Sequence, residues 1–278
     1  MRWTPGGVSG NIEDQRSSGG FGGGRGLGLG GLLIAGILSL VFGRDFITPL
    51  LMESGGRVAT SPQVDEARDR AEEPMVKFVS FVLDDAQQTW RKLLGPRYQD
   101  AKLVLFREGV ESGCGAAGAE TGPFYCPADQ KVYIDLSFFD ELNTKFGAPG
   151  DFAQAYVLAH EIGHHVQTQL GISQKVRAAQ SRNPSAVNDL SVRMELQADC
   201  FSGVWGHSTN QRSILEAGEV KEGLAAAAAV GDDRIQRQAR GRVNPESFTH
   251  GSSAQRQQWF MRGFESGDVG ACDTFASR

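Results

Sequence analysis

Apolar residues recur along this chain with two different periods, and these periods predict separate helices and strands. Over residues 75–94 the apolar positions follow a helical period, and Gly95-Pro96 then favours the end of the helix. Further helical patterns cover residues 152–170, 187–205, 214–240 and 252–265. Gly231-Asp232-Asp233 is expected to interrupt the pattern over residues 214–240.

Two short stretches have the β-branched and aromatic composition of strands. They are KLVLFR at residues 102–107 and KVYIDL at residues 131–136. The Gly- and Ala-rich residues 113–122 between them are predicted as a loop. Together these elements predict an α+β domain over residues 74–278, mainly helical with a small β-sheet.

The N-terminal quarter of the chain differs in composition from the rest. Residues 1–25 are rich in Gly, Ser and Arg and are predicted as a disordered tail. Residues 26–43 carry no charge, and eighteen helical residues reach ~27 Å, which favours a single transmembrane helix. The polar residues 44–73 are predicted as a linker, with some helix near residues 65–73.

The apolar segment has two alternative interpretations, a cleaved signal peptide and a buried helix of a soluble protein. The 25 polar residues before it and the absence of an A-x-A site after it favour an uncleaved anchor. Arg2, Arg16 and Arg25 precede the segment, whereas Arg44 and Arg57 follow it. This slight excess predicts a single-pass protein of the cell membrane, with the N-terminus cytoplasmic and the domain outside.

Charge and cysteine content limit the partners, the kinds of metal site and the redox compartment that are expected for the domain. The net charge of -5, without a basic block, argues against a nucleic-acid partner. None of the four cysteines lies in a CxxC pair, so a cysteine-based zinc knuckle is not expected. An extracytoplasmic location favours two disulfides over four free thiols. The candidates are a short-loop pair, Cys114 with Cys126, and a long-range pair, Cys200 with Cys272.

Residues 160–164 read His-Glu-Ile-Gly-His, the H-E-x-x-H pattern. Positions four apart lie on one face of a helix, so His160 and His164 can bind one Zn²⁺. Glu161 is then placed to act as a general base without ligating the metal. The alternative is a helix whose histidines are incidental. The helical pattern of residues 152–170, with Asp151 as a candidate N-cap, favours the metal site.

A catalytic zinc site needs a third protein ligand, and we expect it from Glu195. A third histidine at 170 is excluded because Gln167 and Leu170 occupy the positions that the longer pattern requires. His165 points about 100° away from His164 and is predicted as a supporting or surface residue. Asp199, one turn after Glu195, can accept the second N–H of a ligand histidine. Two solvated acids on an ordinary helix are the alternative.

HEIGH followed by E-x-x-x-D resembles the gluzincin, or thermolysin-like, zinc peptidases. More closely, the chain is similar to the bacterial putative neutral zinc metallopeptidase family, through segments that span most of residues 1–275. These segments are the tail with its apolar run, GPFYCPADQKVYIDLSFF, AYVLAHEIGHHVQ, ELQADCFSGVW and FTHGSSAQRQQWF. The resemblance implies a zincin-like domain that binds zinc, lies outside the cytoplasm and acts on peptides.

The resemblance also suggests further roles. His250 is the candidate that stabilises the oxyanion, because gluzincins often use a later His or Tyr, and capping of the helix near Ser252 is its alternative. Tyr125 and Tyr133 are weaker candidates. By analogy, strand 131–136 binds the substrate backbone, or else it is an ordinary core strand.

These features favour a membrane-anchored zinc peptidase that hydrolyses peptide or protein substrates. The alternative is a non-catalytic, membrane-tethered zinc-binding scaffold. Glu161 argues against the scaffold, since a purely structural zinc site needs no general base.

Overall fold

The computed structural model describes residues 1–17 and 62–276, with side chains from residue 66 onward in the first helix. Within these ranges, none of the helices is both long enough and apolar enough to span a membrane. The predicted transmembrane helix at 26–43 and residues 44–61 of the predicted linker lie outside the described residues, as do residues 18–25 of the predicted tail.

Helices make up most of the described chain, in agreement with the predicted α+β class. Their bounds are α1 Pro62–Leu94, α2 Ser137–Thr144, α3 Asp151–Gln169, α4 Ile172–Arg182, α5 Val187–Gln211, α6 Glu219–Ala229, α7 Asp232–Arg240 and α8 Ser253–Ser266. Helices α2 and α4 were not predicted. The single pattern over residues 214–240 is two helices, because the chain breaks at Val230 and Gly231, beside the predicted interruption.

One sheet of four strands supports the helices, in the order β1-β2-β6-β5. The strands are β1 Ile12–Asp14, β2 Lys102–Phe106, β5 Phe124–Cys126 and β6 Lys131–Asp135. β2 pairs in parallel with both β1 and β6, whereas β5 is antiparallel to β6. Alternate residues of β2 enter different cores: Leu103 and Leu105 face the helices, and Val104 and Phe106 face the other side.

A second, two-stranded sheet covers that other side. β3 (Gly109–Ser112) and β4 (Gly115–Gly118) form an antiparallel hairpin, so the loop predicted for residues 113–122 is wrong over β4. Val110 and Ala117 of the hairpin pack against the apolar residues on this face of the main sheet. The small residues of β4 have low strand propensity, but pairing with β3 forms the strand nonetheless.

Helix α1 begins at Pro62, twelve residues before the predicted domain start at Pro74, which lies inside the helix. The polar stretch is helical because its charges find partners. Glu72 pairs with Arg68 one turn earlier and with Arg107 at the end of β2, at 3.1 and 2.6 Å. Residues 62–73 are therefore part of the domain and not of a linker.

Residues 1–17 are also part of the domain, so the predicted disordered tail is wrong over this range. β1 extends the sheet beside β2, and Trp3 packs edge-on against Phe78 of α1 with ring centroids 5.3 Å apart. The Gly-rich composition predicted disorder because it does not show that the backbone groups of β1 are hydrogen-bonded to β2.

Close helix packing surrounds the predicted metal-binding helix α3. Gly203 of α5 and Gly263 of α8 lie against each other's helices, where a Cβ would approach backbone oxygens to about 2 Å. Gly163, inside the HEIGH motif, lies so close to α5 that a Cβ would stand 2.9 Å from the Ala198 carbonyl oxygen. The motif glycine therefore permits the approach of α5 to α3.

Both predicted disulfides are present, Cys114–Cys126 and Cys200–Cys272. The first joins the β3–β4 turn to the end of β5. The second spans 72 residues and joins the C-terminal segment to α5. In the chain-entropy treatment, a loop of that length corresponds to about 4 kcal/mol of stabilisation.

Candidate metal centre

Helix α3 is buried along most of its length and carries the H-E-x-x-H residues. It begins at Asp151 with Gly150 in the N-cap position and without a side-chain cap, so the predicted Asp151 N-cap is wrong. The one-turn spacing places His160 and His164 on one face, with ring centroids 4.8 Å apart. This face points toward α5.

Glu195 of α5 meets both imidazoles. Its Oε2 lies 3.2 Å from His160 Nε2 and its Oε1 lies 3.4 Å from His164 Nε2. One ligand atom from each of the three residues lies within 4.8 Å of the other two. Two imidazole nitrogens and one carboxylate, with a further position open to solvent, form the ligand set of a catalytic zinc. The three residues therefore fit Zn²⁺.

The outer nitrogens of the two imidazoles are held by different partners. His160 Nδ1 lies 2.8 Å from Asp199 Oδ1, the contact expected from the E-x-x-x-D spacing. His164 Nδ1 lies 2.8 Å from Gln167 Oε1, and the Gln167 amide in turn donates to the Met194 carbonyl oxygen at 2.7 Å. Both nitrogens that face Glu195 are thus the Nε2 atoms, which fixes how the rings present themselves to a metal.

Asp199 is held by two buried residues that the sequence analysis did not identify. Arg256 of α8 donates from Nε to Asp199 Oδ2 at 2.8 Å and from Nη2 to Oδ1 at 2.9 Å. Tyr156, one turn before His160, donates its hydroxyl to Asp199 Oδ1. Arg256 also donates to the Val230 carbonyl oxygen at 3.1 Å. The only sequence signal was an arginine at an otherwise core-facing position of the last amphipathic helix.

The electrostatics of the cluster favour positive charge between the carboxylates. Burial alone would lower the pKa of His160, but Asp199 and Glu195 together raise it to about 10. Burial also disfavours the ionised form of Glu195, yet the two imidazoles hold the pKa of this carboxyl well below its usual range. A divalent cation bound by the imidazoles would supply the same positive charge.

Glu161 lies beside the cluster without belonging to the ligand set. It is buried, and burial raises the pKa of its carboxyl, opposed by the charges of His160 and His164. A carboxylate whose pKa is shifted toward neutrality is suited to accepting and releasing a proton. Its catalytic role stays a prediction.

His250 lies at the edge of the site in the loop before α8. Its imidazole is 47% exposed, and Nδ1 lies 3.2 Å from Asp232 Oδ1. Partial desolvation would lower the pKa of His250, but Asp232 and the charge of Glu195 raise it. The alternative capping role is wrong, because Ser252 caps α8 in a reciprocal capping box with Gln255.

Three other candidates are engaged elsewhere. His165 is buried rather than on the surface, with Nε2 2.7 Å from the Gln99 carbonyl oxygen and Nδ1 3.2 Å from Tyr125 Oη. Tyr133 donates its hydroxyl to Asp129 at 2.7 Å. These partners leave Tyr125 and Tyr133 as parts of the sheet and its attachment to α3.

The strand predicted to bind substrate is not at an edge. β6 pairs with β2 along Lys131–Asp135 and with β5 along Lys131–Tyr133, so the backbone groups of its first three residues are used within the sheet on both sides. It is therefore the core strand of the alternative interpretation. β5 ends the order of described strands and lies beside α3 through the contact of Tyr125 with His165.

Comparison with known proteins agrees with this geometry. The profile of a protein family described as "Putative neutral zinc metallopeptidase" matches residues 1–275. "Uncharacterized protein YpfJ" of Escherichia coli (strain K12) is 50% identical, with 99% of each chain covered. "Uncharacterized protein Rv2575" of Mycobacterium tuberculosis (strain H37Rv) is 49% identical over 68% of this chain and 66% of its own length. No solved structure is significantly similar to the chain.

Replacing Arg256 with Gln should weaken zinc binding, because Asp199 would lose its buried counter-charge and orient His160 less well. We expect a loss of about 10- to 100-fold in zinc affinity, measured by competition with a chromogenic chelator. Arg262→Gln, on the exposed side of the same helix, is the matched control and should bind zinc normally. Unchanged affinity in folded Arg256→Gln protein, checked by thermal unfolding, would contradict the role of Arg256.

Proposed function

Because the chain belongs to the putative neutral zinc metallopeptidase family, we propose that it is a zinc-dependent peptidase that hydrolyses peptide bonds. The observation that carries the proposal is the convergence of His160, His164 and Glu195 beside the buried carboxyl group of Glu161. This arrangement combines a three-residue ligand set with a candidate base, as metal-dependent hydrolysis requires.

The residues of the chain divide the proposed chemistry among them. When bound, zinc supplies Lewis acidity that activates water and polarises the scissile carbonyl. Glu161 accepts a proton from the attacking water and then delivers it to the leaving amine. Asp199 and Gln167 keep the ligand imidazoles oriented throughout, since each accepts the ring N–H that does not face Glu195.

His250 is the proposed donor to the carbonyl oxygen as that oxygen gains negative charge. Its exposed ring can reach a substrate, and the raised pKa favours the protonated form, in which both ring nitrogens donate. Asp232 orients the ring through Nδ1, which leaves Nε2 available to the substrate. A donor of this kind lowers the barrier most when it meets charge that develops during the reaction.

The peptide substrate is proposed to lie along β5. Among the described strands, β5 pairs with β6 alone, so its other edge can add an extended peptide through backbone hydrogen bonds. The Cys114–Cys126 disulfide fixes one end of this strand. Recognition through the backbone would give low sequence selectivity.

We also propose that the domain works outside the cytoplasm, attached to the cell membrane. Two disulfides with all four cysteines paired support an oxidising compartment. Attachment rests on the apolar sequence at residues 26–43. A non-catalytic zinc-binding scaffold is the second candidate function, and it is separated from the peptidase by the test of Glu161.

Glu161→Gln should retain zinc and lose peptide hydrolysis, because glutamine keeps the shape of the side chain but cannot accept the proton. We expect peptide cleavage to fall by about 10²- to 10⁴-fold, followed with casein or a quenched fluorescent peptide library. Bound zinc, determined by mass spectrometry of the metal, should stay near one per chain.

Two controls separate the candidate functions. Glu195→Gln should lose zinc and activity together, because it removes a proposed ligand. If the unaltered protein binds zinc but neither it nor Glu161→Gln cleaves any peptide of the library, the scaffold is favoured and the peptidase proposal fails.

Replacing His250 with Phe should lower kcat more than it raises KM, because a donor to developing charge acts mainly in the transition state. The expected loss in kcat is about 10²- to 10³-fold, with zinc content unchanged. Glu246→Gln, at an exposed position of the same segment, is the control and should keep nearly full activity. An equal kcat in His250→Phe would remove this residue from the mechanism.

A further inference from the structure

The N-terminal segment, residues 1–17, is hydrogen-bonded into the sheet of the domain. The Leu103 amide donates to the Asn11 carbonyl oxygen at 2.9 Å, and the Gln15 amide donates to the Leu105 carbonyl oxygen at 2.8 Å. β1 pairs with β2 in parallel over Ile12–Asp14. Without β1, the strand β2, which is buried from Leu103 to Phe106, would have an unpaired edge.

Side chains fasten the same segment to helix α1 and to β6. Ser9 donates its hydroxyl to Asp84 at 2.6 Å, while its amide donates to Ser80 at 3.1 Å. At the other end, Arg16 donates to Glu72 at 2.8 Å. Between them, Lys131 of β6 reaches Glu13 at 2.6 Å.

From these contacts we infer that residues 1–17 and 62–276 lie on the same side of the membrane, an inference that rests on the membrane attachment proposed above. Hydrogen bonds of 3 Å cannot join segments that a hydrocarbon core of about 30 Å separates. The predicted orientation, with the N-terminus cytoplasmic and the domain outside, is incompatible with this pairing. A single crossing by residues 26–43 would require that orientation, with the N-terminus and the domain on opposite sides of the membrane.

Residues 18–61 contain one uncharged stretch long enough for a helical crossing, at 26–43. The return stretch, residues 44–61, carries Arg44, Asp45, Glu53 and Arg57 and offers no matching second span. This inference is independent of the proposed peptidase activity.

Cysteine labelling of the full chain in cell membranes tests the inference. Val8→Cys and Val187→Cys place single thiols at exposed positions of the two described parts, and the four native cysteines are all paired. A membrane-impermeant maleimide is applied to spheroplasts, and again after lysis. We expect both thiols to be labelled under the same condition. Labelling of one in spheroplasts and of the other only after lysis would overturn the inference.

Hydrogen exchange on the purified full chain keeps the test decisive if Val8→Cys does not accumulate. The Gln15 and Leu103 amides donate across the β1–β2 pair, so both should exchange far more slowly than the same amides in short peptides. Exchange of both at peptide rates in the folded protein would show that β1 is not part of the sheet. Gly6→Cys, at a position with open space around Cα, provides a second labelling site.

Discussion

The burial of acidic side chains around two histidines is the constraint on which this structure depends. Glu161 and Asp199 are buried and Glu195 is mostly so, while Arg256 is the buried cation that pairs with Asp199. Three carboxyl groups against one guanidinium favour further positive charge in the cluster, because unpaired charge is costly to bury. Without metal, the raised pKa values of His160 and His164 supply that charge as protons on the imidazoles. A divalent cation held by the imidazoles would take the place of those protons.

Backbone geometry makes that burial possible. Gly163 lets α5 approach α3 closely enough for Glu195 to reach both rings, and Gly203 and Gly263 let α8 pack against α5 so that Arg256 reaches Asp199. The Cys200–Cys272 disulfide adds a covalent constraint one residue from Asp199. Three helices distant in sequence are thus held together at small residues, and their polar groups meet at one point.

The sequence predicted the parts of this arrangement that depend on local spacing. The two histidines and the two carboxylates of E-x-x-x-D are each spaced four residues apart on one helix. The spacing therefore predicts that each pair lies on one helix face. Arg256 and Gln167 were missed because their roles come from packing between helices, which periodicity does not encode. The edge strand was misassigned because strand order depends on long-range pairing. For the same reason, the Gly-rich composition of residues 1–25 concealed β1, whose partner lies about 90 residues away.

A crystal structure of the zinc-loaded protein, with the metal located by anomalous scattering at the zinc edge, would show whether these three residues bind the metal. We expect one zinc ion about 2.0–2.2 Å from His160 Nε2, His164 Nε2 and a carboxylate oxygen of Glu195, with a solvent-accessible fourth position. Zinc bound at other residues, or a folded protein without metal at this cluster in excess zinc, would contradict it.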